Sequence, residues 1–214
     1  YEICSRDWSS DVCSSDLGEG AQAGRAAVFC RFSGCNLWSG REEDRSSAVC
    51  RFCDTDFVGI DGTCGGKYLS AESLAQAIAE HWPLNQSNRF VVLTGGEPLL
   101  QVDAVLIAAL HNLDFEIAVE TNGTILPPKG IDWLCVSPKA GSLTVVAQGQ
   151  ELKLVYPQNG IDPEQFAALD FQNFCLQPMD GPQREQNTQA AVEYCQAHPR
   201  WKLSVQTHKW IGIR

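Results

Sequence analysis

The sequence lacks long apolar runs, and none of its hydrophobic segments approaches the roughly 20 residues that a membrane-spanning helix requires. It also lacks a basic and then apolar secretory signal at its start. We therefore expect a cytoplasmic protein that has no membrane partner.

Basic residues are scarce, because 16 Lys and Arg stand against 26 Asp and Glu and give a net charge of −10. Proteins that bind nucleic acids usually present a basic face, and no cluster of Lys and Arg occurs here. The charge balance therefore disfavours direct binding to RNA or DNA.

Cysteine, in contrast, is abundant, with 10 residues in a chain of 214. In a short secreted protein this count would indicate a disulfide framework. The length, the core-like strands and the missing signal favour a reducing compartment instead, where clustered cysteines more often bind metals or take part in catalysis. A hydrophobic content of 44% suits one globular domain with a substantial core.

Residues 1–17 differ from the rest of the chain. They are rich in Ser and Asp, follow neither a helical nor a strand period, and look like translated sequencing-adaptor DNA fused to a reading frame. We expect 1–17 to be a disordered, non-native leader in which Cys4 and Cys13 have no function. The functional domain is then 18–214.

From Gly18 onward, apolar strand patterns alternate with helical patterns. Ser70 is a typical N-cap, and Leu74, Ile78 and Trp82 follow it at helical spacing. Strands that alternate with helices predict an α/β fold with a mostly parallel sheet. The predicted strands are Ala26–Phe32, Arg89–Thr94, Phe115–Glu120, Trp133–Val136, Glu151–Tyr156, Phe174–Gln177 and Lys202–Gln206. The predicted helices are Ser70–Trp82, Val102–Leu110, Pro163–Leu169 and Asn187–His198.

Polar or glycine-rich motifs end or follow five of these strands, at Thr94–Pro98, Glu120–Gly123, Ser137–Lys139, Gln177–Asp180 and Gln206–Lys209. One such motif would be an ordinary turn, but five in succession indicate a functional face at the carboxyl ends of barrel strands. Because a complete eight-stranded barrel typically needs about 250 residues, we expect an incomplete, TIM-like barrel.

Cys35, Cys50 and Cys53 form a C-x14-C-x2-C pattern that can bring three thiolates to one metal centre. Three cysteines on a [4Fe–4S] cluster would leave one iron open for a substrate or cofactor. A closed zinc site is the alternative, with Cys64 or another residue as the fourth ligand. The remaining cysteines fall in apolar segments and are expected in the core, namely Cys30, Cys135, Cys175 and Cys195.

The Thr94–Pro98 motif, TGGEP, helps to choose between these metals. Its glycines allow a ligand to approach the backbone closely, and Glu97 offers a carboxylate to an ammonium group. Beside an open cluster, this motif suits the amino acid moiety of S-adenosylmethionine.

Several segments together closely resemble the 7-carboxy-7-deazaguanine synthase family of radical S-adenosylmethionine enzymes. They are Gly18–Trp38, Cys50–Phe57, TGGEP, ETNG, SPK and the terminal QTHKW, and the resemblance extends from Gly18 to Arg214. The C-x14-C-x2-C spacing is a form found in this family, whereas most radical S-adenosylmethionine enzymes carry C-x3-C-x2-C.

The resemblance implies roles for the residues at matching positions. It implies that Cys35, Cys50 and Cys53 hold the cluster and that Thr55 ligates a Mg²⁺ that also touches the substrate carboxylate. For S-adenosylmethionine it implies Phe52, Asp54, Gly96, Glu97, Ser137, Pro138, Lys139, Gln177, Pro178, Met179 and Asp180. For the substrate it implies Gly18, Arg31, Thr94 and the terminal carboxylate of Arg214. Glu120 and His208 are implied as catalytic groups that position the substrate or transfer protons.

The resemblance also implies the reaction. Its substrate would be 6-carboxy-5,6,7,8-tetrahydropterin, from whose C6 a 5′-deoxyadenosyl radical takes a hydrogen atom. The ring then contracts, ammonia leaves, and S-adenosylmethionine is regenerated. The product belongs to the pathway to queuosine, a modified tRNA base, and other 7-deazapurines. The implied partners are a flavodoxin or ferredoxin that supplies electrons and a second copy of the chain in a homodimer.

The chain departs from the family pattern at Asp16–Gly20, which reads DLGEG where the family reads LQGEG. The glutamine and the apolar strand before it are missing. If residues 1–17 are an artefact, we expect this polypeptide to have lost substrate contacts and part of its sheet.

Two other functions compete with this interpretation. A glycyl-radical activase would share the radical chemistry, but such enzymes usually carry the shorter cysteine spacing and act on a protein. A zinc-binding module without catalytic activity would be colourless, and it would not need the polar motifs at the strand ends.

Overall fold

The computed structural model describes residues 8–59, 65–83, 86–207, 209 and 212, with the backbone alone for residues 8, 9 and 11–17. Its strands are β1 (Trp8–Leu17), β2 (Ala26–Phe32), β3 (Gly65–Tyr68), β4 (Phe90–Gly95), β5 (Glu116–Thr121), β6 (Trp133–Val136), β7 (Gln148–Tyr156), β8 (Asp170–Pro178) and β9 (Trp201–Leu203). Its α-helices are α1 (Ala71–Glu80), α2 (Ala104–His111) and α3 (Arg184–Ala197). No helix in these ranges has the length and apolar character needed to cross a membrane.

All nine strands belong to one sheet in the order β3-β1-β2-β4-β5-β6-β7-β8-β9. The strands from β2 through β4 to β9 run parallel, and only β1 is antiparallel to its neighbours β2 and β3. Within the described ranges the two outer strands, β3 and β9, do not pair with each other, so the sheet remains open. The predicted α/β fold with a mostly parallel, incomplete barrel is confirmed.

The local sequence explains why these elements form. Residues 90–94 of β4 are all buried, as expected for a parallel strand that is covered on both faces. The helix α1 begins at Ser70, whose hydroxyl accepts the Ser73 N–H while the Ser73 hydroxyl accepts the Ser70 N–H. Its buried Leu74 and Ile78 join the same core as the apolar residues of β4.

Two strands were missed by the sequence predictions. The disorder expected for the leader is wrong for Trp8–Leu17, which forms β1, and β3 lies between Phe32 and Ser70, where no strand is predicted. β1 is held by backbone pairing with β2, and β3 by backbone pairing with β1, and such pairing requires no apolar period in the sequence. The non-native origin of residues 1–17 stays a prediction, and Cys4 lies outside the described residues.

The other predicted elements match the structure closely. Two differences are clear: the helix predicted at Pro163–Leu169 is a short 3₁₀ turn, Pro163–Phe166, and the last strand ends at Leu203. The strand ends there because pairing with β8 stops at Leu203. Element boundaries depend on such long-range pairing and are therefore the least predictable part of a fold.

β4 approaches β2 so closely at its carboxyl end that two glycines are required. Gly95 has φ +110°, and a Cβ there would lie 2.4 Å from both the backbone nitrogen and oxygen of Phe32. A Cβ on Gly96 would lie 2.0 Å from the carbonyl oxygen of Gly34. The glycine pair therefore lets the TGGEP motif pack directly against the backbone that leads to Cys35.

We expect Gly95→Ala to lower the free energy of unfolding by about 3 kcal/mol, because it adds both backbone strain and overlap with Phe32. Urea unfolding followed by circular dichroism measures the loss. Gly66→Ala is the control, since the nearest atom to its new Cβ would be 3.8 Å away. Equal stability of the two variants would contradict the close packing of β4 on β2.

Candidate active site

One large cavity of about 840 Å³ lies at the carboxyl ends of the parallel strands. Its wall contains most of the residues predicted from the sequence, including all three cysteines of the C-x14-C-x2-C pattern. These wall residues are Arg31, Cys35, Cys50, Phe52, Cys53, Asp54, Thr55, Thr94, Gly96, Glu120, Ser137, Lys139, Gln177, Pro178, Met179 and Asp180. Parallel strands bring these distant segments together because their carboxyl ends share one edge of the sheet.

Some predicted residues do not line this cavity. Gly18 and Pro138 are buried behind its wall, while His208 and Arg214 lie outside the described residues. Glu97 is fully buried. The glycine-rich TGGEP motif therefore meets the cavity through Thr94, Gly95 and Gly96 rather than through its carboxylate.

The Glu97 carboxylate joins two of the strand-end motifs. It accepts hydrogen bonds from the Thr121 hydroxyl at 2.8 Å, the Asn122 N–H at 2.8 Å and the Leu99 N–H at 3.0 Å. Burial raises the pKa of Glu97, although these hydrogen bonds oppose the shift. In this structure Glu97 supports the floor of the site, and its predicted contact with an ammonium group stays a prediction.

The three predicted cluster ligands are free thiols around the same cavity. The hydrogen bond between Cys50 and Cys53 lowers the pKa of Cys53 to about 6 and raises that of Cys50, so the pair favours one thiolate. Burial raises the pKa of Cys35. The other cysteines behave as predicted where they are described, since Cys30, Cys135 and Cys175 are buried and Cys195 is half-buried.

The chemistry of this donor set fits an iron–sulfur cluster, because such clusters are held by cysteine thiolates. Among the residues that the structure describes, no three or more His, Cys, Asp or Glu side chains converge as they would around a metal ion. The three thiols instead border a wider shared space. Cys64, the fourth ligand of the zinc alternative, lies outside the described residues.

A buried charge cluster that the sequence predictions missed forms another wall of the cavity. The Lys153 ammonium group donates to Glu120 at 2.8 Å and to Glu19 at 3.1 Å, and the Lys153 side chain is only 6% exposed. Burial alone would lower the pKa of Lys153, but the two carboxylates outweigh it and raise that pKa well above its usual value. Burial would likewise raise the pKa of Glu120, but Lys153 outweighs it and lowers that pKa. Both groups are therefore charged near neutral pH.

The carboxylate of Glu151, which is buried on β7, anchors the turn that carries Glu19. Glu151 accepts the Ala21 N–H at 2.9 Å, and the Ser204 hydroxyl accepts the Gly20 N–H at 3.2 Å. Gly20 has φ +58°, and a Cβ there would lie 1.9 Å from the Glu151 carboxylate. The turn at Gly18–Gly20 is thus held in place by Glu151 of β7 and by Ser204, which follows β9.

The signal for Lys153 and Glu151 was present in the sequence. They stand two residues apart in the segment Glu151–Tyr156, whose other residues are mostly apolar. Since alternate residues of a strand point to the same face, two charges at this spacing indicate a strand whose inner face is polar.

Lys209 connects three segments at the mouth of the cavity. Its ammonium group lies 2.6 Å from a carboxylate oxygen of Asp54 and 2.6 Å from one of Asp180. Lys209 thus joins the Gln206–Lys209 motif to Asp54, which follows Cys53, and to the Gln177–Asp180 motif.

Two polar groups of the wall are relevant to ligand binding. The Oε1 atom of Gln177 is buried and has no hydrogen-bond partner among the described residues. Lys139 donates to the carbonyl and hydroxyl oxygens of Ser137 at 2.7 and 2.6 Å. Burial lowers the pKa of Lys139, and the nearby Cys50 and Cys53 oppose that shift.

An incomplete parallel barrel with three free thiols beside a polar cavity at the strand ends defines the class of radical S-adenosylmethionine enzymes. The chain is 65% identical to 7-carboxy-7-deazaguanine synthase of Caulobacter vibrioides over 196 residues, which cover 92% of this chain and 93% of the relative. It is 66% identical to the synthase of Bradyrhizobium diazoefficiens over 197 residues, covering 92% of this chain and 94% of that protein. The chain therefore belongs to the 7-carboxy-7-deazaguanine synthase family.

A comparison of folds agrees with this membership. The crystal structure of QueE from Escherichia coli matches with a TM-score of 0.69 and 25% identity, covering 94% of each chain. No protein-family model matches the chain. Family membership implies a radical S-adenosylmethionine lyase with a [4Fe–4S] cluster, and it does not favour the activase or the zinc-module alternatives.

We expect Lys153→Met to lower the free energy of unfolding by about 3 kcal/mol at neutral pH, because it leaves the half-buried carboxylates of Glu19 and Glu120 without their buried cation. Lys202→Met is the control, since Lys202 is exposed and its ammonium group donates to the Asn173 side-chain oxygen. Urea unfolding of both variants measures the difference. A loss no larger than that of Lys202→Met would contradict the role of Lys153.

The difference in stability between wild type and Lys153→Met should depend on pH. A lowered folded-state pKa makes the Glu120 contribution complete above its ordinary value of 4.5 and lost as the pH falls through the folded value. A raised pKa makes the Lys153 contribution complete below its ordinary value of 10.5. The difference should be largest between neutral pH and 10.5, and it should shrink in more acidic solution, because in Lys153→Met burial raises the pKa of Glu120 and its protonation relieves the unpaired charge. Unfolding curves at a series of pH values test this, and a difference that grows with acid would contradict it.

Proposed function

We propose that this protein converts 6-carboxy-5,6,7,8-tetrahydropterin to 7-carboxy-7-deazaguanine by radical ring contraction with loss of ammonia. The proposal is carried by the convergence of Cys35, Cys50 and Cys53 with the strand-end motifs on one cavity of about 840 Å³. That volume is large for a small-molecule site and can accommodate a cofactor beside a bicyclic substrate. The names of the relatives support the same activity.

In this proposal, Cys35, Cys50 and Cys53 hold a [4Fe–4S] cluster, and S-adenosylmethionine binds beside it. When bound, these groups supply the radical that removes hydrogen from the substrate. The unpartnered Oε1 of Gln177 supports a ligand at this wall, because a buried acceptor without a donor is costly. Phe52 offers an apolar face for the adenine, and Gly96, which lines the same cavity, offers its backbone to the amino acid moiety.

The substrate would lie against the wall formed by Arg31, Thr94, Glu120 and Lys153. Arg31 and Lys153 are cations that suit the substrate carboxylate. Glu120 is held as a carboxylate by Lys153, so we assign it to accept hydrogen bonds from pterin N–H groups rather than to donate a proton. The roles of Gly18, His208 and the carboxylate of Arg214 rest on the family resemblance.

We assign Mg²⁺ to Thr55. This residue lines the cavity next to Asp54 and Asp56, and hard oxygen ligands of this kind suit Mg²⁺. The ion would hold the substrate carboxylate in place during the rearrangement.

The proposed partners follow from the family and from the chemistry. A one-electron donor of the flavodoxin or ferredoxin class would reduce the cluster, and two copies of the chain would form a homodimer. We place the protein in the cytoplasm, because free thiols and an iron–sulfur cluster suit a reducing compartment. The product would enter queuosine or other 7-deazapurine synthesis.

The activity is tested anaerobically. The protein is reconstituted with iron and sulfide, reduced, and given S-adenosylmethionine, Mg²⁺ and the carboxy-tetrahydropterin, and 7-carboxy-7-deazaguanine is sought by mass spectrometry. A second chain, with residues 1–17 replaced by a start that matches the family, is assayed in parallel. Product from either chain supports the function. A cluster-loaded protein that makes no product in either form would contradict it and favour the activase alternative.

We expect Thr55→Ala to raise the Mg²⁺ concentration needed for half-maximal activity about tenfold, because it removes a ligand oxygen. Iron content should stay at the wild-type value. Thr55→Ser keeps the hydroxyl and serves as the matched control. Loss of the cluster in Thr55→Ala would show that Thr55 supports the cysteine loop instead of the ion.

A further inference from the structure

The 14-residue spacer between Cys35 and Cys50 folds around a small core that is separate from the core of the sheet. Trp38, Ala48 and Phe57 are buried together, and Cys35 and Cys53 pack against them. The rings of Trp38 and Phe57 meet edge to face with their centroids 5.5 Å apart. Cys35, which precedes the spacer, and Cys53, which follows it, therefore share one apolar environment.

Arg45 lies across this small core. Its guanidinium carbon is 4.0 Å from the centroid of the Trp38 ring. Its Nη1 atom donates to the carbonyl oxygen of Arg51 at 2.9 Å and to that of Cys53 at 3.1 Å. Its remaining nitrogens pair with Glu42. One planar cation thus links Trp38, three residues after Cys35, to the backbone on both sides of Phe52.

The contacts of Arg45 need a guanidinium group. A planar fork can stack on an aromatic ring and donate to several oxygens at the same time, whereas a lysine ammonium is a compact point charge. A long spacer also leaves the chain more freedom than a short one, and this freedom must be lost when the three thiols come together. Contacts that order the spacer reduce that cost before any metal binds.

We propose that Arg45 is a positioning residue for the cluster, which fixes the Cys50–Cys53 segment relative to Cys35 through Trp38 and the carbonyl of Cys53. The proposal rests on the proposed ligation of the cluster by these three cysteines. Arg45 acts through the backbone, so its removal should affect how firmly iron is held more than how much iron can be bound.

The test compares Arg45→Met and Arg45→Lys with Arg41→Met. Arg41 belongs to the same spacer, but its side chain is 69% exposed and its guanidinium group lies 4.0 Å from the Glu43 carboxylate. Each protein is reconstituted with excess iron and sulfide without oxygen. Iron content is measured, and the loss of iron to bathophenanthroline is followed by the visible absorbance of the cluster.

We expect Arg45→Met to load with iron and then lose it about tenfold faster than wild type, as is usual for residues that support metal ligands. The rate of iron loss from Arg45→Lys should lie between the rates for Arg45→Met and wild type. The rate for Arg41→Met should match that of wild type. The thermal unfolding of the sheet should change little, because its core is separate. The KM for S-adenosylmethionine should rise while that for the pterin stays constant, because Phe52 lies between the two carbonyls that Arg45 holds.

Several outcomes would overturn the proposal. One is wild-type iron loss from Arg45→Met, and another is full rescue by Arg45→Lys, which would show that charge alone is sufficient. An Arg45→Met protein that takes up no iron but keeps its thermal unfolding would also overturn it, because the proposal requires loading to be retained. If Arg45→Met does not fold, Trp38→Leu, which removes the stacking face, must show the same faster iron loss. Absence of iron from wild type and Arg41→Met alike would instead reject the cluster assignment itself.

Discussion

The buried cation of Lys153 holds together parts of the fold that the sheet alone does not join. The parallel strands do not close into a barrel among the described residues. Lys153 projects from β7 to Glu120 on β5 and to Glu19 on the turn before β2. Because a buried charge is stable only when it is paired, the position of each of these elements constrains the other two.

The same turn is also bonded to the opposite side of the sheet. Gly20 and Ala21 donate their N–H groups to Ser204 and Glu151, which belong to the opposite side of the sheet. Backbone donors that would otherwise be unpaired are thereby satisfied by side chains from β7 and from the chain after β9. The charges that stabilise the fold also line the cavity, so a substrate that binds there meets groups that are already fixed in place.

The sequence predicted those features that depend on local patterns. The cap at Ser70, the apolar run of β4 and the five strand-end motifs each required only a short stretch of chain, and the three cysteines were recognised by their spacing. Long-range contacts were not predictable in the same way. The Glu97 carboxylate accepts hydrogen bonds from Thr121 and Asn122, which are distant in the chain, while its contact with an ammonium group stays a prediction. Lys209 was part of a recognised motif, yet its two carboxylate partners could be found only from the folded chain.

The strand β1 shows how much of the architecture depends on the backbone. It pairs with β2 from Ser10 to Leu17 although its sequence has no strand period. Pairing of this kind uses N–H and C=O groups that every residue except proline provides. On the prediction that residues 1–17 are a non-native leader, the sheet therefore tolerates the foreign sequence. Side-chain contacts are not replaced in this way, and the glutamine expected before Gly18 is a leucine here. The leader should therefore impair substrate binding more than folding, while the thiols and the Lys153 cluster, which lie on later elements, keep their arrangement.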